Sequence, residues 1–277
     1  MNWKGLFLYL ILVICVLTIL VLVMLPAWKT QYAQNARLAE EYRTAMAALE
    51  KGDYIQAYEG FMQIKYKDSQ QQARSIRKLY LAEMLDGISL GEKIYFGKYN
   101  GFPLTWTVVA VRDGYAVLAC DTAVAKKQYN EDFGSERPDS RGWHYNEWPA
   151  CSLRTWLNEE FIGAFSEDEL SVMKKATVPN AGLFKVEAVT ADFVYILSSR
   201  EMEAAVEAGW DKEGKLRAGS FWLRGSAAGN GNDAQGYNIE IVAGYSNIVN
   251  SHDIIPVIWV QAAPVDVPEN SVFDVEK

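Results

Sequence analysis

Tryptophan and arginine are the side chains of this sequence best suited to holding a ligand. Nine tryptophans occur in 277 residues. Trp143, Tyr145 and Trp148 lie close together in a polar segment, while Trp156 and Trp222 stand beside Arg154 and Arg224. An indole offers a flat apolar face with one donor, and a guanidinium offers a planar fork of donors. Together they make a stacking, hydrogen-bonding surface for sugars or peptides. Trp143, Tyr145, Trp148, Arg154, Trp222 and Arg224 are therefore candidate ligand-binding residues. A structural role competes with each: Trp156 and Trp222 also read as core, and Arg154 as the partner of a buried carboxylate. Trp143, Tyr145 and Trp148 read equally as surface or architecture.

The stretch GNGNDAQGYN, residues 229 to 238, is the other polar cluster. Asn230, Asn232, Asp233 and Asn238 carry oxygens on turn-rich backbone, the ligand type calcium takes. The D-x-[DN]-x-[DN]-G spacing is missing and the loop holds one carboxylate, so it reads as a plain loop, with Asn232 and Asp233 kept as ligand-binding candidates. The two histidines, His144 and His252, fall in polar segments and read as solvated loop residues. No C-x-x-C or H-x-x-x-H pair occurs, so neither a metal site nor a cofactor is expected. Cys120 and Cys151 read as buried thiols or one disulfide, and GSAAG has no strand-to-helix elbow to make a serine nucleophile. These residue types point to a noncatalytic protein.

The elements that must position these residues begin with Leu6 to Leu25, LFLYLILVICVLTILVLVML, which carries no charge. About twenty helical residues span about 30 Å, the hydrocarbon thickness of a bilayer. Trp3, Lys4, Trp28 and Lys29 flank the run as interfacial anchors do. A cleaved signal peptide would have a shorter apolar region and a small-x-small site. Residues 1–28 are thus expected to be a single-pass anchor contacting lipid through residues 6–25. Its C-terminal side is expected outside the cytoplasm, since long domains translocate largely regardless of flanking charge.

Residues 29–87 read as an all-α segment. Leu38, Tyr42, Ala45, Met46 and Leu49 recur at helical spacing, Gly52 ends that helix, and Asp53 caps the next. A third helix starts near Asp68 and Ser69. From residue 88 to 263 the period changes to short strands rich in β-branched and aromatic residues, with CSLRTWLNEEFIGAF as a helix and two S-x-x-E capping boxes, Ser166–Glu169 and Ser198–Glu201, opening further helices. The expectation is an α+β domain, mainly antiparallel, with two or three helices, followed by an acidic tail over 264–277. The formal charge of −8 and pI near 5.0 argue against a nucleic-acid partner.

The segment containing Gly52, Asp53, Tyr54, Ala57, Phe61, Tyr66, Asp68 and Ser69 resembles a tetratricopeptide-like helical hairpin. The ordered motifs FGKY, W-x-x-x-S-L-R-x-W-L-N, F-x-x-x-F-S-x-x-E, LS-x-x-E, WLR and P-x-x-W resemble a widespread bacterial domain of unknown function, over roughly Ile88 to Gln261. Trp148, Ser152, Leu153, Arg154, Trp156, Leu157, Asn158, Ser198, Glu201, Trp222, Leu223 and Arg224 carry the likeness. The chain departs from it where Ile255, in place of arginine, precedes Pro256. The layout is also similar to the C-type-lectin-like fold. The resemblance implies an envelope protein and no defined chemistry. The expected function is a membrane-anchored extracytoplasmic module that binds a glycan, peptide or protein. The alternatives are a scaffold docking through the helical segment and an enzyme on a lectin-like fold.

Overall fold

The computed structural model describes residues 3–112, 114–131, 147–179, 189–226, 238–241, 244–247 and 250–262. Within those helices and strands, the side chains of 4–11, 14–27, 225–226, 238–241 and 244–245 lie outside the described set. Trp143, Tyr145, Asn232 and Asp233 fall outside the described residues, as do His144 and the tail 264–277. The chain divides into two compact units, Met1–Tyr80 and Leu81–Lys277.

In the first unit, helix α1 (Trp3–Lys51) runs unbroken for 49 residues, so the apolar run and the first helix of the segment behind it are one helix. Most side chains of the expected anchor lie outside the described residues. Among the described residues, no helix is long and apolar enough to cross a membrane. Helix α1 ends where Gly52 takes φ 78°. The Gly52 N–H donates to the Leu49 carbonyl at 3.0 Å and the Asp53 N–H to that of Ala48 at 3.0 Å. This Schellman pair satisfies carbonyls that the helix end leaves open. Asp53 then caps α2 (Tyr54–Gln63), its carboxylate accepting from the Gln56 N–H at 2.9 Å. A Cβ on Gly60 would stand 2.9 Å from that of Ala45, so only glycine allows α2 this close to α1. Ala57, Tyr58 and Phe61 are buried from α2, and Tyr58 stacks on Tyr80 of α3 (Ser69–Asp86) with ring centroids 4.0 Å apart.

The second unit is mixed α+β, built on a curled antiparallel sheet. Strands β1 (Lys93–Tyr99) and β2 (Phe102–Arg112) form a hairpin around Asn100 and Gly101, whose φ values of 49° and 83° suit a two-residue primed turn. Strand β3 (Tyr115–Cys120) pairs with β2 and then, beyond it, with the last strand of the chain. Strand β4 (Ala125–Gln128) lies off this sheet. A 3-10 turn at Trp148–Ala150 leads into α4 (Ser152–Glu159). The segment expected as one helix stops there. A separate 3-10 turn, Phe161–Ala164, follows and buries both Phe161 and Phe165. Helix α5 (Glu167–Val172) is followed by β5 (Met173–Lys174), β6 (Ala176–Pro179), β7 (Val189–Asp192) and β8 (Val194–Ile196).

Helix α6 (Ser199–Glu207) precedes β9 (Trp222–Ser226), β10 (Asn238–Ile241), β11 (Gly244–Asn247), β12 (Ser251–Ile254) and β13 (Pro256–Gln261). The main sheet runs β1-β2-β3-β13-β5, with β8 also on β13. Smaller sheets pair β11-β10-β9, β12-β4 and β6-β7. Bulges in the β1–β2 and β2–β3 pairings bend the main sheet. Gly97, inside the first bulge, has φ 78°, and a Cβ there would stand 2.7 Å from the Phe165 ring. Its N–H donates to the Glu169 carboxylate at 2.9 Å, which ties the FGKY strand to the capping box of α5.

Candidate functional site

Helix α4 carries most of the candidate chemistry. Cys151 caps it, its sulfur accepting from the Arg154 N–H at 3.4 Å. The Arg154 guanidinium reaches Asp192 at the end of β7, with Nε and Nη2 at 2.8 and 2.7 Å from Oδ1. The other oxygen of Asp192 accepts from Trp148 Nε1 at 2.8 Å and from the Thr190 hydroxyl at 2.5 Å. Asp192 and Trp148 are both buried, so this carboxylate is a hub that locks the turn before α4 onto β7. One turn along α4, Asn158 accepts from the Phe193 and Val194 N–H groups at 2.9 and 3.2 Å and donates to the Val194 carbonyl at 2.8 Å.

A second hub sits at Arg224 of β9, which is 3% exposed. Nη2 donates to Glu201 Oε2 at 2.6 Å, Nη1 to the Pro179 carbonyl at 2.6 Å, and Nε to the Ile196 carbonyl at 3.3 Å. Glu201 simultaneously closes its capping box, accepting from the Ser198 N–H at 2.7 Å. Trp222 is buried, its Nε1 donating to the Lys127 carbonyl at 2.9 Å. Trp259 Nε1 donates to the Tyr195 hydroxyl at 3.0 Å.

Trp148, Trp222 and Arg224 thus have their polar groups engaged inside the fold, and Arg154 is a half-buried strut. The structure joins Trp148 to Arg154 through Asp192, and places Trp222 and Arg224 elsewhere, on β9.

His252 lies in β12, half-buried, and not in a solvated loop. Its Nδ1 is 2.5 Å from the Ser220 hydroxyl and Nε2 2.6 Å from that of Ser246, with its ring edge-on to Trp222. Burial, then the Lys126 charge, lowers its pKa, and Asp253 opposes both. Cys120 and Cys151 are free and buried, which pushes both thiols up to about 12. They are inert thiols with no bridge between them. Among the described residues no group of three or more His, Cys, Asp or Glu is placed to hold a metal ion.

Among the described residues a cleft of about 350 Å³ lies between β4 and α4. Lys127, Asn130 and Glu131 form one wall, and Ser152, Thr155, Trp156, Glu159 and Glu160 another. The Lys127 ammonium lies 4.8 Å from the Trp156 ring centroid and 3.8 Å from Glu131 Oε1. Sequence reasoning named Trp156 and passed over Lys127, Glu131, Glu159 and Glu160. The signal was there in Asn-Glu-Glu at the end of α4, where carboxylates oppose the helix dipole.

A family model described as Domain of unknown function (DUF6273) matches residues 119–262, which include Trp148, α4, Asp192, Glu201, Arg224 and Trp259. The chain belongs to this family. No curated protein and no solved structure matches the chain. The DUF6273 match begins at the end of β3, so β1 and β2 lie ahead of it although they belong to the same sheet. Within the matched span, Trp148 and Arg154 of this chain join Thr190 at the Asp192 hub, and Ser152 and Trp156 line the cleft.

Proposed function

We propose that this DUF6273 protein is a membrane-anchored binding module of the cell envelope, which holds a glycan, peptide or protein ligand in the cleft beside α4. One observation carries the reading. The same helix whose inner residues are locked to Asp192 and β8 presents Ser152, Thr155 and Glu159 to an open cleft, which its C-cap Glu160 and the otherwise buried Trp156 also line. A site on an element fixed by buried hydrogen bonds is preorganised, which lowers the cost of binding. The uncharged run at residues 6–25, within the unbroken backbone of α1, supports the anchor. In this reading the tetratricopeptide-like helices are a spacer and the ligand-binding unit faces outward. The C-type-lectin-like kinship of that unit rests on motif order alone.

The test is a screen of cell-wall glycan and peptide fragments against the full chain in a neutral detergent, with Thr155→Trp as control. Thr155 is exposed and lines the cleft, so an indole there fills the site without disturbing the core. A ligand retained by the parent and lost from T155W supports the reading. A screen with no ligand sensitive to T155W sinks it. Orientation is tested separately by protease digestion of intact cells, where an outward unit is cut.

A further inference from the structure

We propose that Asn100 is a site of spontaneous covalent modification, whose two products have opposite effects on the hairpin between β1 and β2. The proposal does not depend on what the cleft binds. Asn100 precedes Gly101 at the tip of this hairpin, and both residues are exposed. The β1–β2 ladder ends on the Tyr99–Phe102 pair, so neither residue belongs to it. Gly101 has no side chain to shield its backbone nitrogen, and nothing lies within 4 Å of where a Cβ would stand. Solvent therefore reaches both reacting groups, the Asn100 carboxamide and the Gly101 amide.

The step needs only water. The Gly101 backbone nitrogen attacks Asn100 Cγ. The N–Cγ bond forms, the Cγ–Nδ2 bond breaks, and ammonia leaves with the proton that the Gly101 amide gives up. The product is a five-membered succinimide, which water opens at one of its two carbonyls. Cleavage of N–Cγ restores the original main chain with an aspartyl side chain. Cleavage at the backbone carbonyl routes the main chain through Cγ, as an isoaspartyl link. Ring closure requires the main chain to rotate at Asn100, and the folded turn restrains that rotation, so the native chain reacts more slowly than the unfolded one.

The fold distinguishes the two products. Asn100 and Gly101 take φ 49° and 83°, a primed turn that Asp-Gly fills as well as Asn-Gly, so the aspartyl form keeps the hairpin. The isoaspartyl form inserts one extra bond, about 1.5 Å, into a two-residue loop whose length sets the strand register. The strain falls on Tyr99, whose ring centroid lies 5.1 Å from that of Phe161 and, edge-on, 6.4 Å from that of Trp156. Trp156 lines the cleft, so this ageing of the hairpin tip reaches the cleft wall through one aromatic contact.

The experiment incubates the full chain, in a neutral detergent, at mildly alkaline pH, both native and in denaturant. Peptide mass mapping with isoaspartyl-specific methylation follows position 100 and separates it from Asn230, which also precedes a glycine. Conversion at Asn100 is expected in both samples, slower in the native chain and faster as the pH rises. Asn100→Asp should melt with the fresh parent, while the isoaspartyl-enriched fraction of aged chain should melt about 2 °C lower or more. No conversion at Asn100 in the native chain, over the time in which the denatured chain converts fully, overturns the site. An isoaspartyl fraction that melts with the parent, or N100D melting as low as that fraction, overturns the contrast between the products.

Discussion

Replacing Glu201 by glutamine keeps the side-chain shape and one acceptor oxygen but removes the charge that faces Arg224. In the native structure Arg224 is 3% exposed, and its Nη2 lies 2.6 Å from Glu201 Oε2. Stripping one partner from a buried pair leaves the other charge uncompensated and costs about 3–5 kcal/mol. A unit of this size loses about 2–4 °C of Tm per kcal/mol, so E201Q should unfold about 6–20 °C below the parent. Arg224→Met should be worse, because it also orphans the Pro179 and Ile196 carbonyls. The unmet acceptor on buried Ile196 adds about 1–3 kcal/mol, while that on exposed Pro179 can turn to water and adds little. The double variant E201Q/R224M should be more stable than the sum of the singles implies, by about 0.5–3 kcal/mol. Near-UV circular dichroism of the full chain during heating follows the tryptophans of this unit. A Tm shift below about 2 °C for E201Q, or strict additivity in the double variant, would refute the reasoning that Arg224 is an internal strut.

Gly97→Ala should cost about 2 kcal/mol or more, since it combines a positive φ with contact against the Phe165 ring, whereas Gly163→Ala, with open space around its Cβ, should be nearly silent in the same melt. His252 is held below its ordinary value of 6.5, so the unfolded chain takes up the proton first. Stability should therefore be intact above about 6.5 and fall as the pH drops below it, until the folded form protonates too, and His252→Gln should flatten that slope in melts taken across the range. Cys120 and Cys151, with thiols pushed up to about 12, should resist alkylation in the native full chain and react fully in denaturant, as read by peptide mass mapping. Rapid native labelling of either would contradict their burial.

What could be read from the sequence was whatever acts over a few residues. Gly52 and Asp53 end one helix and start the next through neighbouring backbone groups, and both capping boxes close between positions three apart. The mixed α+β class followed from the change of period after residue 87. The site was less legible, because its hubs join distant positions. Asp192 is 38 residues from Arg154, and nothing near it in the chain marks it as the carboxylate that Trp148 and Arg154 need. The break in the helix after Glu159 was hidden as well: the apolar positions fit one continuous helix, but packing Phe161 and Phe165 together around Phe96 and Trp106 requires a tighter turn. His252 was misplaced for the same reason, since its polar neighbours look like loop until β4 pairs with β12.

Asn158 has one more consequence. Strand β8 is three residues long and pairs with β13. The Val194 amide and carbonyl are engaged by the two ends of the Asn158 side-chain amide, which copies the hydrogen-bonding pattern of a neighbouring strand. A free strand edge invites another chain to add to it, the first step of edge-to-edge aggregation. By occupying those groups, one asparagine lets α4 cover the edge of the sheet without leaving its backbone bare, and Asn158→Leu, which strands them beside the buried Val194, should lower the melting temperature well before any self-association appears.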